Sequence, residues 1–195
     1  MNHIGTKSYE TARLILRPFT AEDAEAVYRN WASDARVTKY LTWSPHGSIA
    51  VSLDYVNQCI SQYDSPSCYQ WAIVLKHTHE LIGNISVVHQ EDAPECMELG
   101  WVLGSKYWGN GYMPEAAARV LTVLFDEVGA NCVYARHDIH NPNSGRVMQK
   151  IGMQYEGILR QCARNNQGIA DCARYSILKE DWKLQTESRR EMQCE

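Results

Sequence analysis

The sequence predicts an α+β fold in which helices pack on a mixed, mostly antiparallel sheet. Three observations support this prediction. Apolar residues recur at helical spacing in the first third of the chain, the period changes to that of strands from Gln70, and two later strand patterns each lead into a helix start. No repeat or linker divides the 195 residues. We therefore predict one domain over residues 1–183 and a charged tail over residues 184–195, and we expect the chain to fray after Trp182.

The N-terminal third is predicted to contain one strand and two helices. Residues 13–19 (RLILRPF) have a strand pattern with a proline near its end, and the TAED segment that begins at Thr20 is a capping box that starts a helix. A second helix is predicted from Ile49 to about Tyr63. Its apolar stripe comprises Ile49, Leu53, Val56 and Ile60.

The middle of the chain is predicted to form three strands. QWAIVL (residues 70–75) and LIGNISVV (residues 81–88) are separated by a polar turn and predict an antiparallel hairpin. CMELGWVLG (residues 96–104) alternates with the period of a strand. One face of this third strand carries Met97, Leu99, Trp101 and Leu103, and the other carries Glu98, Gly100 and Val102.

In the last part of the chain, helices and strands alternate. A helix is predicted from about Pro114 to Val128, and Gly129 suits its C-terminal cap. Residues 131–138 (NCVYARHD) form a strand pattern, after which Asn141 is the N-cap of a short helix with proline in its first position. The last two strands are predicted at residues 154–157 and 172–178.

Composition and charge exclude several classes of protein. The chain is 45% hydrophobic and 22% charged, the balance of a folded domain, and its net charge of −4 without a basic stripe argues against a nucleic-acid partner. No apolar run approaches the length of about 18 residues that a membrane span needs, and the first residues lack a signal-peptide pattern. The seven cysteines are an odd count without metal-binding spacing. We expect a cytoplasmic protein with reduced thiols and with no membrane or metal partner.

The KYWGNGYMPEAA segment, which begins at Lys106, is the first candidate binding site. It places Gly109 and Gly111 between a strand and a helix, where glycines allow close backbone approach and the first helical amides have no internal partner. Such amides, together with the helix dipole, can bind a phosphate. The segment matches neither a P-loop nor a dinucleotide-binding fingerprint. By itself the pattern fits an ordinary turn better than a phosphate site.

A second candidate segment, HNPNSGRVMQKIGMQYEG, follows the strand at residues 131–138. Asn141 and Ser144 lie at the start of its helix, where simple capping explains them well. His137 and His140 end the preceding strand and could relay protons, although histidines at strand ends are more often polar caps.

Together, in this order and spacing, the segments resemble the GNAT superfamily of N-acetyltransferases, and most of all its ribosomal-protein RimJ/RimL branch. The resemblance covers nearly the whole chain, from TARLILRPFTAEDAE through MELGWVLGSKYWGNGYMPEAA and the HNPNS segment to YSILKEDW. It implies a sheet of about seven strands flanked by about four helices, with a V-shaped splay between the central strands. The family's loop begins with Gln or Arg where this chain has Lys106, which keeps the positive charge.

The resemblance also implies acetyl-CoA as co-substrate. Its pantetheine arm would pair with the backbone near Trp101, Val102 and Leu103 in the manner of an added strand. Its pyrophosphate would lie on the amides of the loop, and Asn141 and Ser144 would face the far side of the pantetheine and the sulfur. The loop residues implied in cofactor binding are Lys106, Trp108, Gly109, Asn110, Gly111, Tyr112 and Met113.

Direct attack of an amine on the thioester needs a proton acceptor and a proton donor. Ser144 is the predicted donor to the leaving thiolate, directly or through water. Glu98 is the candidate general base, directly or through water; it could instead bind a cationic acceptor or simply face solvent. No nucleophile elbow supports an acyl-serine intermediate.

The function predicted from the resemblance is an acetyl-CoA-dependent N-acetyltransferase, an acyltransferase that acts on a primary amine. A protein N-terminal α-amine is one acceptor, and a polyamine or aminoglycoside is the small-molecule counterpart. Two further candidates come from different functional classes: a non-catalytic acyl-CoA sensor, and a structural domain in which the loop is an ordinary turn. A homodimer is compatible with the resemblance.

Overall fold

A computed structural model describes residues 1–191, with side chains to residue 188. The strands are β1 (Tyr9–Glu10), β2 (Leu14–Arg17), β3 (Gln70–Leu75), β4 (Leu81–Glu91), β5 (Cys96–Leu103), β6 (Cys132–Asp138), β7 (Gln154–Asn165) and β8 (Gly168–Leu178). The α-helices are α1 (Ala24–Val27), α2 (Ala35–Thr38), α3 (Ile49–Gln62), α4 (Tyr112–Thr122), α5 (Pro142–Lys150) and α6 (Lys179–Glu191). Short 3₁₀ and π segments begin or extend several of them: Ala21–Asp23, Tyr28–Ala32, Ser105–Tyr107 and Val123–Val128.

The eight strands form one sheet in the order β1-β2-β3-β4-β5-β6-β8-β7. All neighbouring strands are antiparallel except β5 and β6, which are parallel. Those two pair only at Cys96–Glu98 with Cys132–Tyr134, although both continue for several residues. Beyond Glu98 the sheet therefore opens into a V-shaped gap, and the edge of β5 that faces β6 has no strand partner there.

Each face of the sheet has its own apolar core. The larger core contains Met97 and Leu99 of β5 together with α4 and its π-helical continuation. The smaller core contains Val102 on the opposite face, packed with the helical segment at residues 21–32 and with α3. The alternation predicted for β5 is thus confirmed, because successive side chains of a strand point to opposite faces.

The predicted fold class is confirmed, and several boundaries differ. The helix expected from Pro114 begins at Tyr112, while Gly129 caps its π-helical continuation, as predicted, with a φ of 82°. Of the apolar stripe predicted for α3, only Val56 is buried. The buried face of α3 instead includes Ser52, whose hydroxyl bonds to the His46 ring at 2.8 Å, and Cys59. A small polar residue with a local partner therefore occupies a core position that hydrophobicity alone does not predict.

The expectation that the chain frays after Trp182 is wrong as far as Glu191, where α6 ends. The Trp182 ring is buried and stacks on Phe125 with ring centroids 5.8 Å apart. The Asp181 carboxylate also accepts the Leu178 N–H at 3.2 Å, next to the helix start. One aromatic anchor and one first-turn carboxylate hold this charged helix against the sheet. Residues 192–195 of the predicted tail lie outside the described residues.

Candidate active site

The gap between β5 and β6 opens into a cleft of about 660 Å³. Its walls come from the end of β5, the loop at residues 107–111, the starts of α4 and α5, and the segment at residues 36–41. Most of the residues predicted to bind the cofactor line this cleft: Trp101, Val102, Leu103, Trp108, Gly109, Gly111, Tyr112, Met113, Asn141 and Ser144. Two segments far apart in the sequence, before α4 and before α5, are thus brought together.

The glycine loop presents its backbone to the cleft. Gly109 and Gly111 have φ values of 80° and 77°, a region that L side chains rarely adopt. The position that a Cβ on Gly109 would take has no protein atom within 4 Å, so this space is open. Within residues 1–191 the five amides from Gly109 to Met113 have no protein acceptor. A row of free amides at a helix start is a fitting site for a phosphate group.

The outer side of this loop is held by side-chain bonds. Arg13 donates from Nη1 to the Asn110 carbonyl at 3.0 Å and from Nε to Glu115 Oε2 at 2.6 Å. The Asn110 side-chain amide donates to the carbonyls of Tyr107 and Trp108, both at 3.1 Å. Asn110 is absent from the cleft lining among the described residues and instead fixes the shape of the loop.

Lys106 also lies outside the cleft. Its side chain is 71% exposed, and Nζ is 3.0 Å from Glu80 Oε1. The hydrogen bond to Glu80 raises the pKa of Lys106 above its ordinary value, so the ammonium stays charged. Its charge is engaged at the protein surface.

Trp108 connects the loop to β5. Its indole N–H donates to the Leu103 carbonyl at 2.8 Å. One backbone acceptor at the end of β5 is therefore already bonded.

The start of α5 places Ser144 against Asn141. Asn141 is the N-cap and Pro142 the first residue of the helix, as predicted, but the Asn141 side chain makes no capping hydrogen bond. Its amide nitrogen instead donates to Ser144 Oγ at 3.2 Å. Since Oγ accepts this bond, the serine keeps its own hydrogen for donation to another group.

Glycine at position 145 brings α5 close to β6. A Cβ there would lie 2.7 Å from Nε2 of His137. The His137 ring is therefore covered by the helix, with Nδ1 2.8 Å from the Asp138 carbonyl oxygen and Nε2 buried without a partner among the described residues.

Glu98 lies at the vertex of the splay and outside the cleft lining. It is 7% exposed, and both of its oxygens accept from the Arg136 guanidinium, at 2.8 Å from Nε and 3.0 Å from Nη2. The pair joins β5 to β6 at the end of their paired segment, where Glu98 is aligned with Tyr134. It faces a separate cavity of about 450 Å³ whose other lining residues are Val88, His89, Tyr134, Leu159 and Arg174.

A buried carboxylate at the end of β6 is a site residue that the sequence did not reveal. Asp138 is 7% exposed, accepts the His140 N–H at 2.8 Å and lies 3.1 Å from His140 Nδ1 through Oδ1. Its Oδ2 accepts from Asn165 Nδ2 at 2.7 Å. Burial by itself raises the pKa of Asp138, but the bonds from His140 and Asn165 outweigh it and hold that pKa below its ordinary value.

The turn between β7 and β8 supports the segment at residues 36–41. The Asn166 side chain donates to the carbonyls of Thr38 at 2.8 Å and Trp43 at 2.7 Å, and its backbone N–H donates to Leu41 at 3.1 Å. Only the fold shows that Asn166 in this turn bonds to the segment at residues 36–41, which lines the cleft.

Two kinds of feature are absent from the described residues. Within residues 1–191 no helix is long and apolar enough to cross a bilayer. The same part of the chain contains no group of three or more His, Cys, Asp or Glu side chains arranged to hold a metal ion.

Comparisons with known proteins agree with the geometry of the cleft. The family model described as an acetyltransferase (GNAT) domain matches residues 13–154. The uncharacterized N-acetyltransferase YoaA of Bacillus subtilis (strain 168) is 32% identical over 170 residues, which are 87% of this chain and 96% of YoaA.

Solved structures share the fold. A GNAT-family acetyltransferase from Bacillus anthracis is 30% identical, with a TM-score of 0.78 over 89% of this chain and 99% of that one. The ribosomal-protein-S5-alanine acetyltransferase of Vibrio fischeri is 19% identical, with a TM-score of 0.78 over 90% and 98% of the two chains. The microcin C7 self-immunity acetyltransferase MccE, solved with acetyl-CoA and AMP, is 19% identical, with a TM-score of 0.76 over 86% and 93%.

The family match covers most of the chain, and YoaA aligns over nearly its whole length. This chain therefore belongs to the GNAT acetyltransferase family and is an acyltransferase.

Proposed function

We propose that this protein transfers the acetyl group of acetyl-CoA to a primary amine by direct attack of the amine. The observation that carries the proposal is the row of five free amides from Gly109 to Met113, at the mouth of a cleft that the strand splay opens. Amides of this kind bind phosphate, and the splay leaves a strand edge beside them for an extended chain. A long ligand with a pyrophosphate and an amide-containing arm has the shape and chemistry to fit both.

The residues present suit acetyl-CoA. The pyrophosphate would be held by the loop amides, where the space beside Gly109 is open. The pantetheine arm would lie along the unpaired edge of β5 near Trp101 to Leu103. When bound, acetyl-CoA supplies an acetyl group activated as a thioester.

Ser144 is the proposed proton donor to the sulfur that leaves. It lines the cleft and has its hydroxyl oriented by Asn141, which donates to Oγ at 3.2 Å. A donor in this position lowers the barrier for thiolate departure.

The base role predicted for Glu98 stays a prediction. Its two oxygens bond to Arg136 and it faces the smaller cavity, so it would have to act through water from outside the cleft. The structure favours another group for that role, which is described below.

The acceptor that we propose is a primary amine of one of two classes. The shared fold of the ribosomal-protein-S5-alanine acetyltransferase favours a protein N-terminal α-amine, as the sequence resemblance did. A small-molecule amine is the second candidate, because MccE has the same fold and was solved with AMP as well as acetyl-CoA. The six cysteines of the described residues are all free thiols, which supports a cytoplasmic location.

Two measurements test this proposal. Acetyl-CoA should raise the melting temperature, because a ligand that binds only the native state stabilises it. Release of the CoA thiol should then depend on an added amine, tested with a panel of N-terminal peptides, polyamines and aminoglycosides. Stabilisation without thiol release across the panel would favour an acyl-CoA sensor, and no stabilisation would favour a structural domain.

A further inference from the structure

We propose that His140 is the general base that takes the proton from the attacking amine, and that Asp138 orients its ring. This inference rests on the proposed transferase activity and assigns a role to two residues of the same site. It is based on a hydrogen-bonded pair at the cleft.

The contacts of Asp138 fix the tautomer of His140. The Asp138 carboxylate is ionised and can only accept hydrogen bonds, so the hydrogen in its 3.1 Å contact with His140 Nδ1 belongs to the ring. In the neutral imidazole, Nε2 then keeps its lone pair and can accept a proton. A base held by a third group in this way is a recurrent arrangement in acyl-transfer sites.

The carboxylate is itself held in place. Asp138 Oδ1 also accepts the backbone N–H of His140 at 2.8 Å, and Oδ2 accepts from Asn165 at 2.7 Å. With Asp138 only 7% exposed, these bonds restrict the carboxylate and therefore the ring that it contacts.

The position of His140 fits the reaction. His140 lines the cleft one residue before Asn141 and four before Ser144. Through Asp138 it connects to Asn165, whose neighbour Asn166 holds the segment at residues 36–41, which also lines the cleft. With 76% of its side chain exposed, the ring is accessible to an incoming amine.

The charged groups around the cleft and the neighbouring His137 are less suited to accept this proton. Among the described residues, the remaining charged side chains in the lining are the cations Arg36, Lys39, Arg146 and Lys150, which carry their protons at neutral pH. Glu98 bonds to Arg136 at the smaller cavity. The His137 ring is covered by α5. The charged group in contact with His140 is thus Asp138 on β6, and those that share the cleft lining with it are Arg36 and Lys39 at α2 and Arg146 and Lys150 on α5.

The proposed step balances. The amine nitrogen bonds to the acetyl carbon while one of its protons moves to His140 Nε2, and the carbon–sulfur bond breaks. The sulfur takes the hydroxyl proton of Ser144, and the imidazolium proton returns to the serine oxygen through solvent. A neutral amine and a thioester become an amide and a thiol.

The test compares His140→Ala with His77→Ala, a control on the exposed turn between β3 and β4. We expect His140→Ala to lower kcat/KM by about 100-fold or more, the usual contribution of a general base, with the Kd for CoA changed less than about twofold. The fall in wild-type kcat/KM at low pH should be lost in His140→Ala and kept in His77→Ala. Added imidazole should restore part of the rate only in His140→Ala.

Three results would overturn the inference. One is a wild-type rate in His140→Ala, the second is an unchanged pH profile, and the third is an equal effect of imidazole on both variants. A wild-type enzyme that binds CoA but transfers to no amine of the panel would overturn the proposed function itself, and the base role with it. If the wild type transfers acetyl groups to an amine and His140→Ala does so equally well, only the base assignment fails and the proposed function stands.

Discussion

The two walls of the cleft are built in different ways. The wall that we assign to acetyl-CoA is made largely of backbone from one short segment, with five amides and two glycines between Gly109 and Met113. A second wall, at residues 36–41, is held by Asn166, more than 120 residues away in the sequence. A local backbone device can be recognised in a sequence, whereas a wall assembled by long-range side-chain bonds is visible only in the fold.

Because the glycine loop binds through its backbone, we expect the largest loss of CoA affinity when a side chain is added at Gly109. In Gly109→Val the new side chain would enter the open space proposed for the pyrophosphate and would strain a φ of 80°. We expect the Kd for CoA, measured by calorimetry, to rise by more than about 100-fold, because several charge-assisted bonds are lost together. Gly129→Val is the matched control, since its φ is 82° and its Cβ position is also open. Equal loss of affinity in both variants would mean that strain, not occupancy of the site, is responsible.

A change in the support of the segment at residues 36–41 should affect binding of the acceptor amine. Asn166→Ala removes the two bonds that its side chain donates, one to Thr38 within the segment at residues 36–41 and one to Trp43 just beyond it. Each such bond contributes about 1 kcal/mol, so the KM for the amine should rise by up to about 30-fold while the Kd for CoA stays the same. The neighbouring exposed residue provides the control variant, Gln167→Ala. If Asn166→Ala weakened CoA binding and left the amine KM unchanged, the assignment of the two walls would be reversed.

Acid should weaken the contacts of Asp138 with His140 and Asn165. Its pKa is depressed in the folded state, so its contribution to stability is present above the ordinary aspartate range, about 3.9, and is lost as the pH falls through the lower folded value. Thermal melts from pH 7 to pH 3 should therefore show a shallower fall in Tm for Asp138→Asn than for the wild type. Parallel curves for the two proteins would exclude this contribution.

The smallest effect is expected at Lys106. Because Nζ is paired with Glu80 at the surface, Lys106→Ala should change the Kd for CoA by less than about twofold, the range of an exposed ion pair. Calorimetry on this variant beside Arg13→Ala, which removes the support of the loop, separates direct contact from loop shape. A tenfold increase in the Kd for CoA in Lys106→Ala would support the predicted role of Lys106 in cofactor binding.

Much of the fold could be predicted because it rests on local patterns. The alternation around Trp101, the glycines of the loop and the cap at Asn141 each follow from a few neighbouring residues. Local patterns do not predict that α6 is ordered, because its anchor is one tryptophan in a charged segment. They also do not predict the burial of Ser52, which depends on a hydroxyl partner.

In the candidate site, too, the features that rest on local patterns could be predicted and those that rest on long-range contacts could not. The segments before α4 and α5 have recognisable patterns, and the fold brings them to one cleft. The pairing of Glu98 with Arg136 and of Asp138 with Asn165 is unrecognisable in the sequence, because Arg136 lies on another strand and Asn165 at the end of β7, 27 residues from Asp138. The strand alternation identified Glu98 as a carboxylate beside the cleft, but it did not predict the salt bridge with Arg136.

Amide hydrogen exchange with and without acetyl-CoA tests the central claim most directly. The amides of residues 109–113 have no protein acceptor within the described chain, so they should exchange fast in the free protein and become protected when the cofactor binds. Those of residues 165–168, behind the other wall, should change little. Protection at 165–168 without protection at 109–113 would contradict the placement of acetyl-CoA on the glycine loop.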